Sequence, residues 1–70
     1  MIKKIIDWIV AQEKESLDEY PALASPMTEE FVLPLETCEN IMNAVIEWET
    51  DANTIDSLEE LLQKRFPDLV

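Results

Sequence analysis

No glycine occurs anywhere in this chain of 70 residues, whereas four prolines do. Two-residue β-hairpin turns lean on Gly at positions of positive φ, so tight hairpins are disfavoured, and the prolines read as stops between helices. The expected class is all-α. Seventy residues make one domain, spanning residues 1–70, close to the lower limit at which a single hydrophobic core holds a chain together. The apolar fraction of 47%, with two Trp and two Phe, is ordinary for a globular chain, so the high charge does not imply disorder.

The segment Leu35 to Ala52 organises the rest. Leu35, Cys38, Ile41, Met42, Val45, Ile46, Trp48 and Ala52 fall on one side of a helical wheel, and Glu36, Glu39, Asn40, Asn43, Glu47, Thr50 and Asp51 on the other. This spacing predicts a central helix over about 35–51 with one apolar and one acidic face. Pro34 sits at or just before its first residue, and Glu36 and Glu39 lie in the early turns, where the helix dipole favours negative charge. Glu49 is the exception on the apolar side, close enough to the helix end to reach water.

A first helix is expected over about 2–20, where Ile2, Ile5, Ile6, Ile9, Val10, Leu17 and Tyr20 share a face until Pro21 interrupts. Glu13 falls in the middle of that stripe, which implies that the helix leaves the core before this point. Trp8 projects from the flank, either folded over the core edge or serving as an aromatic anchor for a partner. A short connector helix is expected over about 26–33, with Ser25 as N-cap, Pro26 at the first position and Glu29 and Glu30 early. The last helix is expected over about 55–66, capped by Asn53 or Thr54 and ended by Pro67. Its apolar face is Ile55, Leu58, Leu61, Leu62 and Phe66, and Arg65 borders that face within reach of Glu13. The architecture that results is a small bundle of three main helices plus a short connector helix.

Charge is the strongest functional signal. Sixteen acids against five bases give a formal net charge of −11, and from Glu15 through Gln63 there is not one Lys or Arg. Such a surface repels nucleic acid and anionic lipid and attracts basic surfaces with a salt-sensitive on-rate. Solubility alone is the bland explanation.

Other chemistries are excluded by what is missing. With no His and a single Cys, there is no zinc site, thiol-protease arrangement or Ser-His-Asp triad. Without Gly there is no phosphate-binding loop, dinucleotide fingerprint or calcium loop. Adjacent acids such as Glu29 with Glu30 and Glu59 with Glu60 point about 100° apart on a helix, so they do not form a two-carboxylate catalytic pair. The expectation is a protein that is not an enzyme and uses no cofactor or metal. Cys38, on the apolar side of the central helix, reads as a buried thiol in a reducing compartment. The N-terminal MIKKIIDWIVA lacks a cleavage pattern, and its apolar run is far short of the roughly 20 residues of a membrane helix. The location expected is therefore cytoplasmic.

Asp56-Ser57-Leu58, followed by acids and leucines, resembles the Asp-Ser-Leu of acyl carrier proteins, which are short, acidic and four-helical. In that family the serine at the start of the second helix carries phosphopantetheine. Here the resemblance covers three residues plus composition. No Gly precedes the motif and only twelve residues follow Leu58, so the family's two later helices have no sequence to occupy.

The expected function is that of a non-enzymatic binding protein whose acidic face docks on a basic surface of another protein. Its sharper form is an inhibitor that mimics nucleic-acid charge, as small phage-encoded or mobile-element proteins do. The partner-binding residues expected are Trp8, Glu15, Asp18, Glu19, Glu36, Glu39, Glu47 and Asp51. The alternative is a homo-oligomeric assembly protein, for instance a homodimer, in which apolar stripes pair and the acids only solubilise.

Overall fold

A computed structural model of the chain describes residues 1–13, 17–51 and 57–69. In chain order the elements are α1 (Ile2–Ala11), a 3-10 helix (Leu17–Leu23), α2 (Ala24–Phe31), α3 (Leu35–Thr50), α4 (Leu58–Arg65) and a 3-10 turn (Pro67–Leu69). No strand occurs among the described residues, and the molecule is the small helical bundle that the missing glycines implied. Its Cα radius of gyration of 11.3 Å matches the roughly 11 Å of a folded chain of this length.

α1 forms because Ile2, Ile5 and Ile9 bury one stripe, which outweighs the modest helix propensity of a β-branched run. It stops at Ala11, nine residues before the expected end at Tyr20. Glu13 adopts a left-handed φ of 50°, which no helix can continue, and its N–H bonds the Val10 carbonyl at 3.1 Å. The Gln12 side chain donates to the Trp8 carbonyl at 3.0 Å, satisfying one acceptor at the helix end. Glu13 is exposed, as its place in the stripe implied. Val10, expected in the core, is 68% exposed, because the helix ends beside it before anything packs there.

The 3-10 helix runs through Pro21, whose fixed φ suits the tighter spiral. It flows directly into α2. Leu23 is already in right-handed helical conformation, and no side chain caps α2. Ser25 therefore is not the N-cap: the backbone arrives already helical and α2 begins two residues before Pro26. α2 ends at Phe31 rather than Leu33, because Val32 turns left-handed at φ 52°, ψ 53°.

α3 agrees with its expected bounds to within one residue. It buries Cys38, Ile41, Met42, Ala44 and Val45. Ala44 was absent from the expected apolar face, and Leu35, which was on it, is 52% exposed because it occupies the first position of the helix. Ala52 lies outside the described residues. At the far end Thr50 Oγ1 donates to the Ile46 carbonyl at 2.9 Å.

α4 starts at Leu58, not Ile55. The Ser57 hydroxyl accepts the Glu60 N–H at 3.2 Å and is the N-cap, so the helix begins where its first unpaired donors find an acceptor. Asn53, Thr54, Ile55 and Asp56 lie outside the described residues. Glu59 and Glu60 in the first turn and Lys64 and Arg65 in the last agree with the helix dipole. The helix ends at Arg65, since Phe66 precedes Pro67 and leaves helical geometry at ψ 64°.

Contacts divide the elements into two groups. α1 packs on α4, while α2, α3 and the 3-10 helix pack on one another, and α3 against α4 joins the groups. Among the described residues the core at their junction contains no polar or charged side chain, and Ile5, Met27, Ile41, Met42 and Leu62 are its largest fully buried side chains. Trp8 meets Phe31 edge-on, ring centroids 6.0 Å apart and planes at 85°, which ties α1 to α2.

Candidate protein-binding surface

The grouping of elements also separates charge. Lys3 and Lys4 stand on α1 and Lys64 and Arg65 on α4. The 3-10 helix, α2, α3 and their joints span residues 17–51 and contain nine carboxylates with no Lys or Arg. α1 and α4 also carry Asp7, Glu59 and Glu60, so the linear bias becomes a contrast between a base-free acidic group of elements and one of mixed charge.

α3 is the axis of the acidic side. With Cys38, Ile41, Met42 and Val45 facing inward, its helical period leaves Glu36, Glu39, Asn40, Asn43 and Glu47 exposed along the outside. A cleft flanks each half of this helix. At the N-terminal half, a groove of about 260 Å3 lies between α3 and the junction of the 3-10 helix with α2. Leu35 and Met42 line it from α3 and Pro21, Ala22 and Ala24 from across, while Glu39, Asn43 and Ser25 add polar atoms. At the C-terminal half, a cleft of about 250 Å3 lies between α3 and α4 and is lined by Glu47, Trp48, Thr50, Asp51, Leu61 and Arg65.

The two clefts differ in how their charge is treated. In the C-terminal cleft Arg65 donates from Nη1 to Glu47 Oε2, so an acid of α3 is answered from within the chain. Glu47 replaces Glu13 as the partner of Arg65, because α4 packs against α3 and α1 ends too early to present Glu13 there. In the N-terminal groove Glu39 is not answered: among the described residues no Lys or Arg pairs with Glu36 or Glu39.

Other predicted residues lie as follows. Asp18 and Glu19 are exposed on the 3-10 helix, at the start of the segment that walls the groove. Asp51 is exposed and ends α3 in extended conformation, its N–H bonding the Glu47 carbonyl at 2.9 Å. Trp8 is half-buried against the core and packs edge-on against Phe31 of α2. Glu15 lies outside the described residues. The structure therefore places Glu36 and Glu39 together by the groove and Glu47 with Asp51 at the other cleft.

Two titrating groups are shifted by their surroundings. Tyr20 donates its hydroxyl to Glu49 Oε1 at 3.0 Å, and its pKa is raised first by burial and then by the adjacent carboxylate. This bond fastens the 3-10 helix to α3. Burial pushes the Cys38 thiol up as well, which leaves it a packing residue and a poor nucleophile.

The groove itself is not legible in the sequence, where Leu35 reads as part of the core and Pro21 only as the stop of the first helix. The signal for Leu35 was its position directly after Pro34, where a helix has no preceding turn to pack beside it. Among the described residues no group of three or more acids or cysteines is placed to hold a metal ion, and no helix is long and apolar enough to cross a membrane. No protein-family model, curated protein or solved structure matches this chain.

Proposed function

We propose that this chain is a non-enzymatic binding protein whose acidic side docks on a basic surface of another protein. The observation that supports this reading most is the exclusion of bases: nine carboxylates and no Lys or Arg over residues 17–51, whose described elements pack on one another. Random scatter of acids for solubility does not require that exclusion. In its sharper form the protein is an inhibitor that occupies a nucleic-acid-binding site, its carboxylates standing where phosphates would lie. Coulomb attraction between extended surfaces speeds encounter and is screened beyond about 8 Å at physiological ionic strength, so binding must weaken steeply with salt.

The test is capture of partners from a cell lysate at low and at high salt, followed by the affinity of any captured protein for a variant with Glu36, Glu39, Glu47 and Asp51 changed to Gln or Asn. The expected result is a basic protein that dissociates at high salt and does not bind the folded quadruple variant. Unchanged affinity in that variant contradicts the proposal. Exposed Val10 and Val32 support a second reading, a homo-oligomer in which the acids only solubilise. Sizing at several concentrations separates the two.

A further inference from the structure

We propose that the groove between α3 and the junction of the 3-10 helix with α2 is the docking site for a basic segment of a partner protein, one whose apolar side chain enters the groove while a flanking Lys or Arg meets Glu39. The proposal rests on the acidic-docking reading above and names the site at which it acts. Three observations lead to it.

The first is shape. At about 260 Å3 the groove falls below the roughly 300–1,000 Å3 typical of small-molecule pockets, and it suits one or two side chains of a docked segment. The second is chemistry. Leu35, Met42, Pro21 and Ala22 present an apolar lining, and Leu35 is left 52% exposed although it is a large aliphatic residue at the first turn of the longest helix. An apolar floor beside a carboxylate is the arrangement found where an anchor residue is buried and a neighbouring cation is held at the rim.

The third is charge complementarity. Every ionisable acid or base on the elements that form the groove is an acid, with Glu39 on its wall and Glu36 one turn away on α3. The cleft at the other end of α3 has the opposite character, because Arg65 already occupies Glu47. A basic segment docking there would have to displace an internal cation. At the groove it meets carboxylates that no described cation holds. An acidic or neutral partner would gain the same apolar contact but would meet repulsion or no charge pairing, so the occupant the groove selects is basic and amphipathic.

Backbone-amide NMR of the full chain, titrated with two synthetic peptides at physiological ionic strength, tests this. One is an amphipathic Leu/Lys peptide. The other has the same charge with every Leu replaced by Ser. The Leu/Lys peptide is expected to shift Ala22, Leu35, Glu39 and Asn43, and to bind about tenfold more tightly than the Ser/Lys peptide. Leu35→Ser or Glu39→Gln should each weaken it several-fold, whereas Glu47→Gln should not; Leu35, Glu39 and Glu47 are exposed, so these variants keep the fold.

If both peptides bind equally and shift residues along the whole acidic side, the groove proposal is overturned while acidic docking stands. If neither peptide binds at low or physiological salt, both readings fall. Concentration-dependent shifts at these residues without any peptide assign the groove to a second copy of the chain and overturn the proposal too.

Discussion

The two ends of α3 offer the same raw materials and put them to different use. Each end combines exposed carboxylates with a cleft of similar size, about 260 Å3 at the N-terminal half and about 250 Å3 at the C-terminal half. At the C-terminal half α4 packs alongside, and Arg65 closes the cleft with an ion pair to Glu47. At the N-terminal half the neighbours are the 3-10 helix and α2, which carry no Lys or Arg, so among the described residues no cation pairs with Glu36 or Glu39. Net charge alone therefore says little about a binding surface. What matters is which acids the fold brings within reach of its own few bases.

One helix supports both clefts, and the largest effect should come from weakening it. Ile41 is fully buried in the middle of α3, and Ile41→Ala should cost about 2–5 kcal/mol, a large share of the stability of so small a chain. Urea denaturation followed by circular dichroism measures it. A cost below about 1 kcal/mol, small for deleting a large buried side chain, means that the two ends do not share this core.

Next in size is the joint that sets α2 against α3. Val32 is left-handed and 87% exposed, so it bears the steric penalty of a β-branched residue there without burying its side chain. Val32→Gly should raise stability by about 1 kcal/mol, the relief of roughly 1–2 kcal/mol less the extra entropy that Gly loses on folding. An unchanged or lower denaturation midpoint contradicts the left-handed joint.

A smaller effect is expected from the tie between the 3-10 helix and α3. Tyr20→Phe removes the hydrogen bond to Glu49 and should cost about 0.5–1.5 kcal/mol, toward the low end because the bond is solvent-accessible. The sign of its pH dependence follows from the raised pKa. The folded state holds the phenolic proton more tightly than the unfolded chain, so the stabilisation is complete below the ordinary value of 10.0 and is lost as pH rises through the folded pKa. Cys38 adds a loss in the same direction, beginning near its ordinary value of 9.0. The alkaline limb of the stability profile should therefore be shallower in Tyr20→Phe, and an unchanged limb contradicts the tie.

Smallest of all is the ion pair of the C-terminal cleft. Both partners are exposed, with side chains 44% and 62% accessible, so Glu47→Gln should change stability by no more than about 1 kcal/mol. A larger loss would mean that this cleft holds the bundle together and is not simply its charge-compensated end.

Much of the fold was legible in the sequence because burial follows period. The stripes of α1 and α3 put Ile2, Ile5, Ile9, Ile41, Met42 and Val45 inside, and Cys38 lies where its neighbours implied. Helix ends were less legible. The prolines read as the stops, yet α1 is ended by a left-handed Glu13 and α2 by a left-handed Val32, residues with no intrinsic preference for that conformation. In a chain without glycine such reversals must fall on residues that carry a Cβ, and nothing local marks which ones. The start of α4 was readable, since Ser57 followed three residues later by Glu60 is a capping-box pattern. The same serine also completes the Asp-Ser-Leu string, which competes with the cap for its interpretation.

At the candidate site, the acids and the absence of bases around them were visible in the sequence. Their division between two clefts was not, because it depends on α4 lying against the C-terminal half of α3 and bringing Arg65 to Glu47. That contact joins residues 18 positions apart across the segment 52–56.

The most direct test compares two paired neutralisations against a captured basic partner by calorimetry over a range of salt. Glu36→Gln with Glu39→Gln is expected to lower affinity at least about tenfold, roughly 1.4 kcal/mol, and to flatten the salt dependence, while Glu47→Gln with Asp51→Asn is expected to change both little. Equal losses from the two pairs, or a greater loss from the second, would contradict the claim that the two ends of α3 differ in function.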